Sequence, residues 1–357
     1  EFGMYISYDG GANWRSFQHN LPVTPITDLL IKNNDLIVAT QGRSLWIMDD
    51  LSVVQQAKEE ILNKSLHVFD VNPAYRTPGG GRGRRGGGGD IQNAGMNPAS
   101  GVVINYYLKN ITDSTKLSVA LLDKSNKLIK TYSTTSKENK IDLKKGMNQF
   151  IWDMNHPEAD RMEGLILWNG FVRGPKAAPG EYTARFRSGT DSADVKFTIL
   201  GDPNYATTNA EYEEQVNFLL AIRDKFTAVM KGMKNIKDIR QQLSDISGRV
   251  GKAIPRELKQ QMDTINKQLT AIEEALHQTK AKSGQDVLNY PIRLDDKIAG
   301  VYNAAAAGNT APSKQAKEAF ADLAAQTDIQ LQQLKYVLDE ELKKLNLLIH
   351  EVRLPVV

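Results

Sequence analysis

From Thr208 onward the apolar residues recur in alternating steps of three and four. Ile222, Phe226, Val229, Met233, Ile236, Ile239, Leu243, Ile246 and Val250 form one such stripe, the spacing that keeps side chains on one face of a helix. Thr208 and Glu211 precede it three residues apart, which predicts Thr208 as N-cap and Glu211 as its capping-box partner. Gly248 and Gly251 are the expected stop. Pro255 is placed to open a second helix as its first residue. Its seam is Leu258, Met262, Ile265, Leu269, Ile272 and Leu276, with Ser283-Gly284 as the expected end. A third helix follows Pro291 through Leu294, Ile298, Val301 and Ala305 to Gly308-Asn309. A fourth starts near Pro312-Ser313 and carries Leu323, Leu331, Leu334, Leu338, Leu345, Leu348 and Val352 before Pro355. At about 1.5 Å per residue it would span roughly 55 Å. Long amphipathic helices joined by short links predict an antiparallel four-helix bundle over 203–357.

Upstream the period changes to two. Val102–Leu108, Leu117–Asp123, Leu128–Tyr132, Gly146–Asp153, Pro179–Phe186 and Val195–Ile199 read as short strands separated by turn residues. They predict an all-β module over 98–202 with an Ig- or fibronectin-like sandwich fold. In Gly146-x-Asn148-x-Phe150-x-Trp152-Asp153, the two-residue spacing puts Phe150 and Trp152 on one strand face, so Trp152 is the expected core tryptophan. A long insertion, His156–Glu163 and Leu165–Trp168, interrupts the strands. It carries Glu158, Asp160 and Glu163, with Asp153 and His156 nearby. A glycosidase needs two carboxyl groups about 5–10 Å apart across a sugar, and nothing in this spacing enforces that. Solvated loop charges are the expectation.

The first 75 residues are also β-prone. Met4–Ser7 and Trp14–Phe17 flank Asp9-Gly10-Gly11, a hairpin signal. Asp9 is placed to accept hydrogen bonds from turn N–H groups, and Trp14 is expected to fold under the hairpin into a core, its indole N–H seeking an acceptor. Leu51–Lys64 reads as a short helical stretch and Leu66–Phe69 as a strand with His67 facing solvent.

Composition narrows the function classes. The chain has 357 residues, a net charge of +3 and no cysteine. Near-neutral charge gives no bulk reason to expect nucleic acid or an anionic membrane as partner. Without cysteine there are neither disulfides nor thiolate metal sites, and no run of 18 apolar residues marks a membrane span. Pro78–Asp90 is rich in glycine and arginine; residues 76–97 read as a flexible linker. Only Arg82, Arg84 and Arg85 are basic there and no aromatics interleave, so RNA binding by this stretch is disfavoured. His277 and His350 each lack a second ligand at i±3 or i±4 and are expected at the surface. No motif indicates a cofactor, a metal or a catalytic constellation.

The stretch Ser7-Tyr8-Asp9-Gly10-Gly11-Ala12-Asn13-Trp14 reads S-x-D-x-G-x-x-W and resembles the Asp-box of BNR-repeat propellers, which include bacterial sialidases, sortilin-type receptors and the large bacterial BNR-repeat glycosyl hydrolases. Leu36–Asp49, with Thr40, Gly42, Arg43 and Trp46 in T-x-G-R-x-x-W, looks like the next blade. The resemblance implies a turn-stabilising role for Ser7, Asp9, Gly11 and Trp14, away from any ligand face. It implies that 1–75 are the last blade or blades of a β-propeller. A propeller needs at least about four blades, so the upstream portion is the expected first partner. The motif at Gly146–Asp153, with the later Pro179-Gly180-x-Tyr182, is similar to the Ig-like module of flagellar hook-capping proteins. The expected whole is multidomain β plus α. The implied role is a non-catalytic C-terminal scaffold of a secreted, periplasmic or cell-surface bacterial protein that binds protein, peptide or glycan. The alternative is a glycoside hydrolase whose acids lie in the missing blades.

Overall fold

Asp9-Gly10-Gly11 reverses the chain between two short strands, β1 (Tyr5–Ile6) and β2 (Arg15–Ser16), which pair antiparallel. The computed structural model describes residues 3–77, 99–251 and 254–351; all but Arg76 and Thr77 of the expected linker, including Arg82, Arg84 and Arg85, lies outside them. β3 (Ile26–Lys32), β4 (Asp35–Thr40) and β5 (Leu45–Met48) follow as an antiparallel sheet in chain order. Asn33 and Asn34 join β3 to β4 with φ of 53° and 69°, the left-handed pair that a two-residue hairpin needs to match strand twist. The helical stretch predicted over 51–64 is broken. It forms α1 (Ser52–Gln56) and a separate 3₁₀ turn at Glu59–Asn63.

The chain is mixed α and β, with several sheets followed by helices. β6 (Leu66–Val68) and β7 (Ala74–Tyr75) precede β8 (Val102–Leu108), β9 (Leu117–Leu122), β10 (Leu128–Ser133), β11 (Gly146–Trp152), β12 (Gly180–Ser188) and β13 (Asp191–Leu200). One sheet has the order β10-β9-β12-β13-β7 and the other β11-β8-β6. All neighbours are antiparallel except β7 on β13. β6 pairs with β8, and β7 with β13, so 66–75 join the sheets of 99–200 and not the sheet β3–β5. Strict alternation in β8 and β11 buries Ile104, Tyr106, Phe150 and Trp152 on one face. The rings of the two sheets meet there: Tyr106 lies 5.2 Å from Phe186, and Trp152 lies 5.7 Å from Tyr182 and 5.9 Å from Phe197.

The chain divides into two units, Glu1–Met154 with Gly180–Leu200, and Asn155–Pro179 with Gly201–Val357. In the second unit, Thr208 caps α2 (Asn209–Val250) through a complete capping box with Glu211. α2 runs through Gly248 and stops at Gly251, whose φ of 59° combined with ψ of −137° only glycine takes without strain. Pro255 is the N-cap, not the first helical residue, of α3 (Arg256–Leu276). α3 ends at Leu276, seven residues before the expected Ser283. α4 (Leu294–Ala306) and α5 (Lys314–Tyr336) follow. α5 passes through a π turn at Val337–Glu341 into α6 (Leu342–Glu351). One apolar core holds these helices, with Phe226, Met233, Ile265, Leu269, Ile298 and Val337 almost wholly buried. The insertion at 155–179 contributes Ala159 and Val172 to it. It is therefore a packed part of the helical unit, while its carboxylates Glu158, Asp160 and Glu163 are exposed as expected.

Candidate interaction site

Ser7, Asp9, Gly11 and Trp14 converge on one turn. Ser7 Oγ donates to Asp9 Oδ1 at 2.8 Å and accepts from the Gly11 amide at 2.8 Å. Asp9 also accepts from the Asn13 amide at 2.8 Å and from Asn13 Nδ2 at 2.7 Å. The Asn13 backbone N–H, then its side chain, then Ser7 lower the Asp9 carboxyl to about 2. All of these partners belong to the turn itself. Trp14 corrects the expectation of a core residue: it is 62% exposed. Its indole N–H does find an acceptor, Gly11 O at 3.0 Å, so the ring folds back on its own turn.

The second motif repeats the device. Trp46 Nε1 donates to Arg43 O at 2.8 Å, again three residues back. Thr40 Oγ1 donates to Ser44 O at 2.6 Å, and Gly42 and Ser44 take φ of 75° and 65°. Trp46 is half-buried and packs with Met4, Phe17, Leu21 and Met48 against Leu36 and Val38. A cleft of about 260 Å³ opens among these residues, with His19 set edge-on to Phe17 at 4.5 Å.

Register puts apolar rows on both faces of the sheet. Val38 stands opposite Leu29 and Trp46, and Leu36 opposite Ile31 and Met48; Leu36 and Val38 are buried under the β1–β2 region. On the other face, Ile37 stands between Leu30 and Ile47, and Ala39 opposite Leu45. Leu30, Ile47 and Leu45 are 54%, 62% and 69% exposed. A sheet patterned this way fits a position between two covering layers.

The remaining candidates do not assemble into a reactive centre. Gly146 turns with φ 88°, and Asn148 is buried and bonds Lys144 N, Lys144 O and Gly146 O. Phe150 and Trp152 are core, while Asp153 is exposed; its charge adds to burial in raising the Tyr132 hydroxyl. Glu158 pairs with Arg161, while Asp160 donates its amide to Thr227 Oγ1 at 3.1 Å and its carboxylate lies 3.8 Å from Lys231 Nζ. His67 is half-buried rather than solvent-facing; burial lowers its value. His350 is exposed. His277, expected at the surface, is buried, with Nδ1 2.7 Å from Asp295 Oδ2. Among the described residues no group of three or more His, Asp or Glu is placed to hold a metal ion, and no helix is long and apolar enough to cross a membrane. No protein-family model matches the chain, and no curated protein matches it significantly.

Proposed function

We propose that this chain is the non-catalytic C-terminal interaction region of a secreted or cell-envelope Asp-box propeller protein. In this reading β1–β5 are propeller blades. The two sheets of 66–200 are an Ig-like sandwich, and α2–α6 with the π turn are an antiparallel helical bundle. Both serve as scaffold. The single observation that supports it best is the row Leu30, Ile37 and Ile47, exposed at its two ends, on a sheet whose other face packs Leu36, Val38 and Trp46. Apolar rows on both faces of a three-stranded sheet are what stacked blades require, and exposed contiguous apolar surface marks an interaction site. Ligand recognition, of protein, peptide or glycan, then belongs to the assembled propeller.

The test is native mass spectrometry of the natural species, first non-denaturing and then denaturing, joined to hydroxyl-radical footprinting of Leu30, Leu45 and Ile47. The expected result is further polypeptide, continuous or nicked but retained, with these three side chains protected. A species of this chain's mass alone, with all three oxidised freely, overturns the reading.

A further inference from the structure

β3 is an edge strand: among the described residues it pairs with β4 on one side and with no strand on the other. Native edges are commonly short, bulged or charged, because unpaired backbone groups template pairing with another chain. This edge presents Leu29, Leu30 and Ile31 in a row, each more than half exposed. The hairpin sets the direction of its backbone groups. Lys32 and Asp35 flank the two-residue turn Asn33-Asn34, so they form a hydrogen-bonded pair, and bonded and non-bonded pairs alternate down the ladder from there. Leu30 therefore bonds Ile37, while Leu29 and Ile31 turn their N–H and C=O groups to the open edge. The Leu29 amide agrees with this, donating to Asp28 Oδ1 at 2.9 Å. The ladder is regular from Asp28 to Lys32; its irregularity falls between Ile26 and Asp28.

We propose that the open edge of β3 pairs with β3 of a second copy of this chain, antiparallel about a two-fold axis at Leu30, so that two three-stranded sheets become one of six strands. Charge complementarity selects this occupant. About Leu30 the strand matches its own reverse: Asp28 falls opposite Lys32 of the second copy, and Lys32 opposite Asp28 of the second copy. These are non-bonded ladder positions, where facing side chains approach most closely, with opposite charges stabilising and like charges destabilising. Leu29 and Ile31 of the second copy form a hydrogen-bonded pair, as do Ile31 and Leu29 of the second copy, which uses every outward backbone group of both residues. The Leu29 amide passes from Asp28 to the Ile31 carbonyl of the second copy, and the carboxylate is released to Lys32 of that copy. Leu30 meets Leu30 on one face. On the other, Leu29 and Ile31 extend the apolar layer of Leu36, Val38 and Trp46. A parallel pairing in register would set Asp28 against Asp28 and Lys32 against Lys32. The contact is self-complementary, as a two-fold dimer requires. It uses the backbone edge of β3 rather than a layer covering the sheet, so it does not rest on the propeller reading.

The test is sedimentation equilibrium of the 357-residue chain from about 1 to 500 μM at low salt. The expected result is a reversible monomer–dimer equilibrium. Asp28→Lys sets lysine against lysine at both ends of the contact, and Lys32→Asp sets aspartate against aspartate; each weakens dimerisation about tenfold or more. Mixed one to one, the two single variants pair with each other, and the chain carrying both substitutions pairs with itself, in each case near the parent affinity. Both side chains are exposed, so all three variants should melt with the parent. A monomer at every concentration overturns the proposal. So does a dimer that neither single variant weakens, or a pair of single variants that fails to associate when mixed. A dimer lost in Ile47→Ser but indifferent to both charge reversals forms through the sheet face, and overturns it as well.

Discussion

His277 Nδ1 lies 2.7 Å from Asp295 Oδ2, with both side chains out of solvent. His277 is the C-cap of α3 and Asp295 sits in the first turn of α4, so the contact joins the two helix ends across an irregular link. Gln278 Nε2 on Pro291 O at 2.8 Å closes the same link. Removing one member of a buried pair leaves the other uncompensated, which costs about 3–5 kcal/mol. His277→Ala is therefore expected to destabilise the chain by about that much in urea unfolding. Replacing both residues by leucine should cost less than His277→Ala alone.

The same pair gives a pH dependence. Burial raises the Asp295 carboxyl, against the opposing pull of the His277 hydrogen bond. A carboxyl whose folded value is raised binds its proton more readily folded than unfolded. Its contribution is full below about pH 3.9, the unfolded reference, and is lost as pH rises through the folded value. Asp295→Asn should flatten this component of the unfolding free energy between pH 4 and 8, measured by denaturation at constant salt.

Asp9 has the opposite sign. Its carboxyl is lowered to about 2, first by the Asn13 amide. Its stabilisation of the turn is present above about pH 3.9 and is lost as pH falls through about 2. The Asn13 amide resonance should shift with a midpoint near 2. Ser7→Ala, which removes one donor to the carboxylate, should move that midpoint upward.

Gly174 marks where the 155–179 segment closes on itself. A Cβ there would lie 1.7 Å from His156 O and 2.9 Å from Pro157 O. Backbone cannot yield as a side-chain tip can, and overpacking costs about 1–3 kcal/mol even where neighbours relax. Gly174→Ala is expected to reach at least the upper end of that range in chemical unfolding. It should also speed hydrogen exchange of the Ala159 amide, which bonds Val172 O at 3.1 Å.

How far the sequence carries depends on how local each signal is. Leu258 to Leu276 repeat at helical spacing against one core, and all six are buried. Val102–Leu108 alternates, and its structure alternates with it. The Asp9 turn closes within seven residues, so its bonds follow from the motif. His277 gave no such signal, because its partner lies 18 residues on, beyond an irregular link. β3 carries no clean period-two signal: Leu29 and Ile31 fall on one face, while Leu30 falls on the other between Asp28 and Lys32.

That two-sided pattern separates two substitutions on one sheet. Leu36 is buried against Met48 and the β1–β2 region, so Leu36→Ala should cost about 2 kcal/mol or more through lost burial and the cavity left behind. Ile47, on the opposite face, is 62% exposed, so Ile47→Ser in this chain should change stability by no more than about 0.5 kcal/mol. It should also lower the binding of an apolar dye and any self-association seen by sedimentation, since it breaks the Leu30–Ile37–Ile47 row. In a species whose propeller blades cover this face the order changes: Ile47→Ser there leaves a hydroxyl and a void in a packed layer, and should cost as much as Leu36→Ala. If Ile47→Ser stays neutral in that longer species, nothing covers the row, and the blade reading of β3–β5 fails.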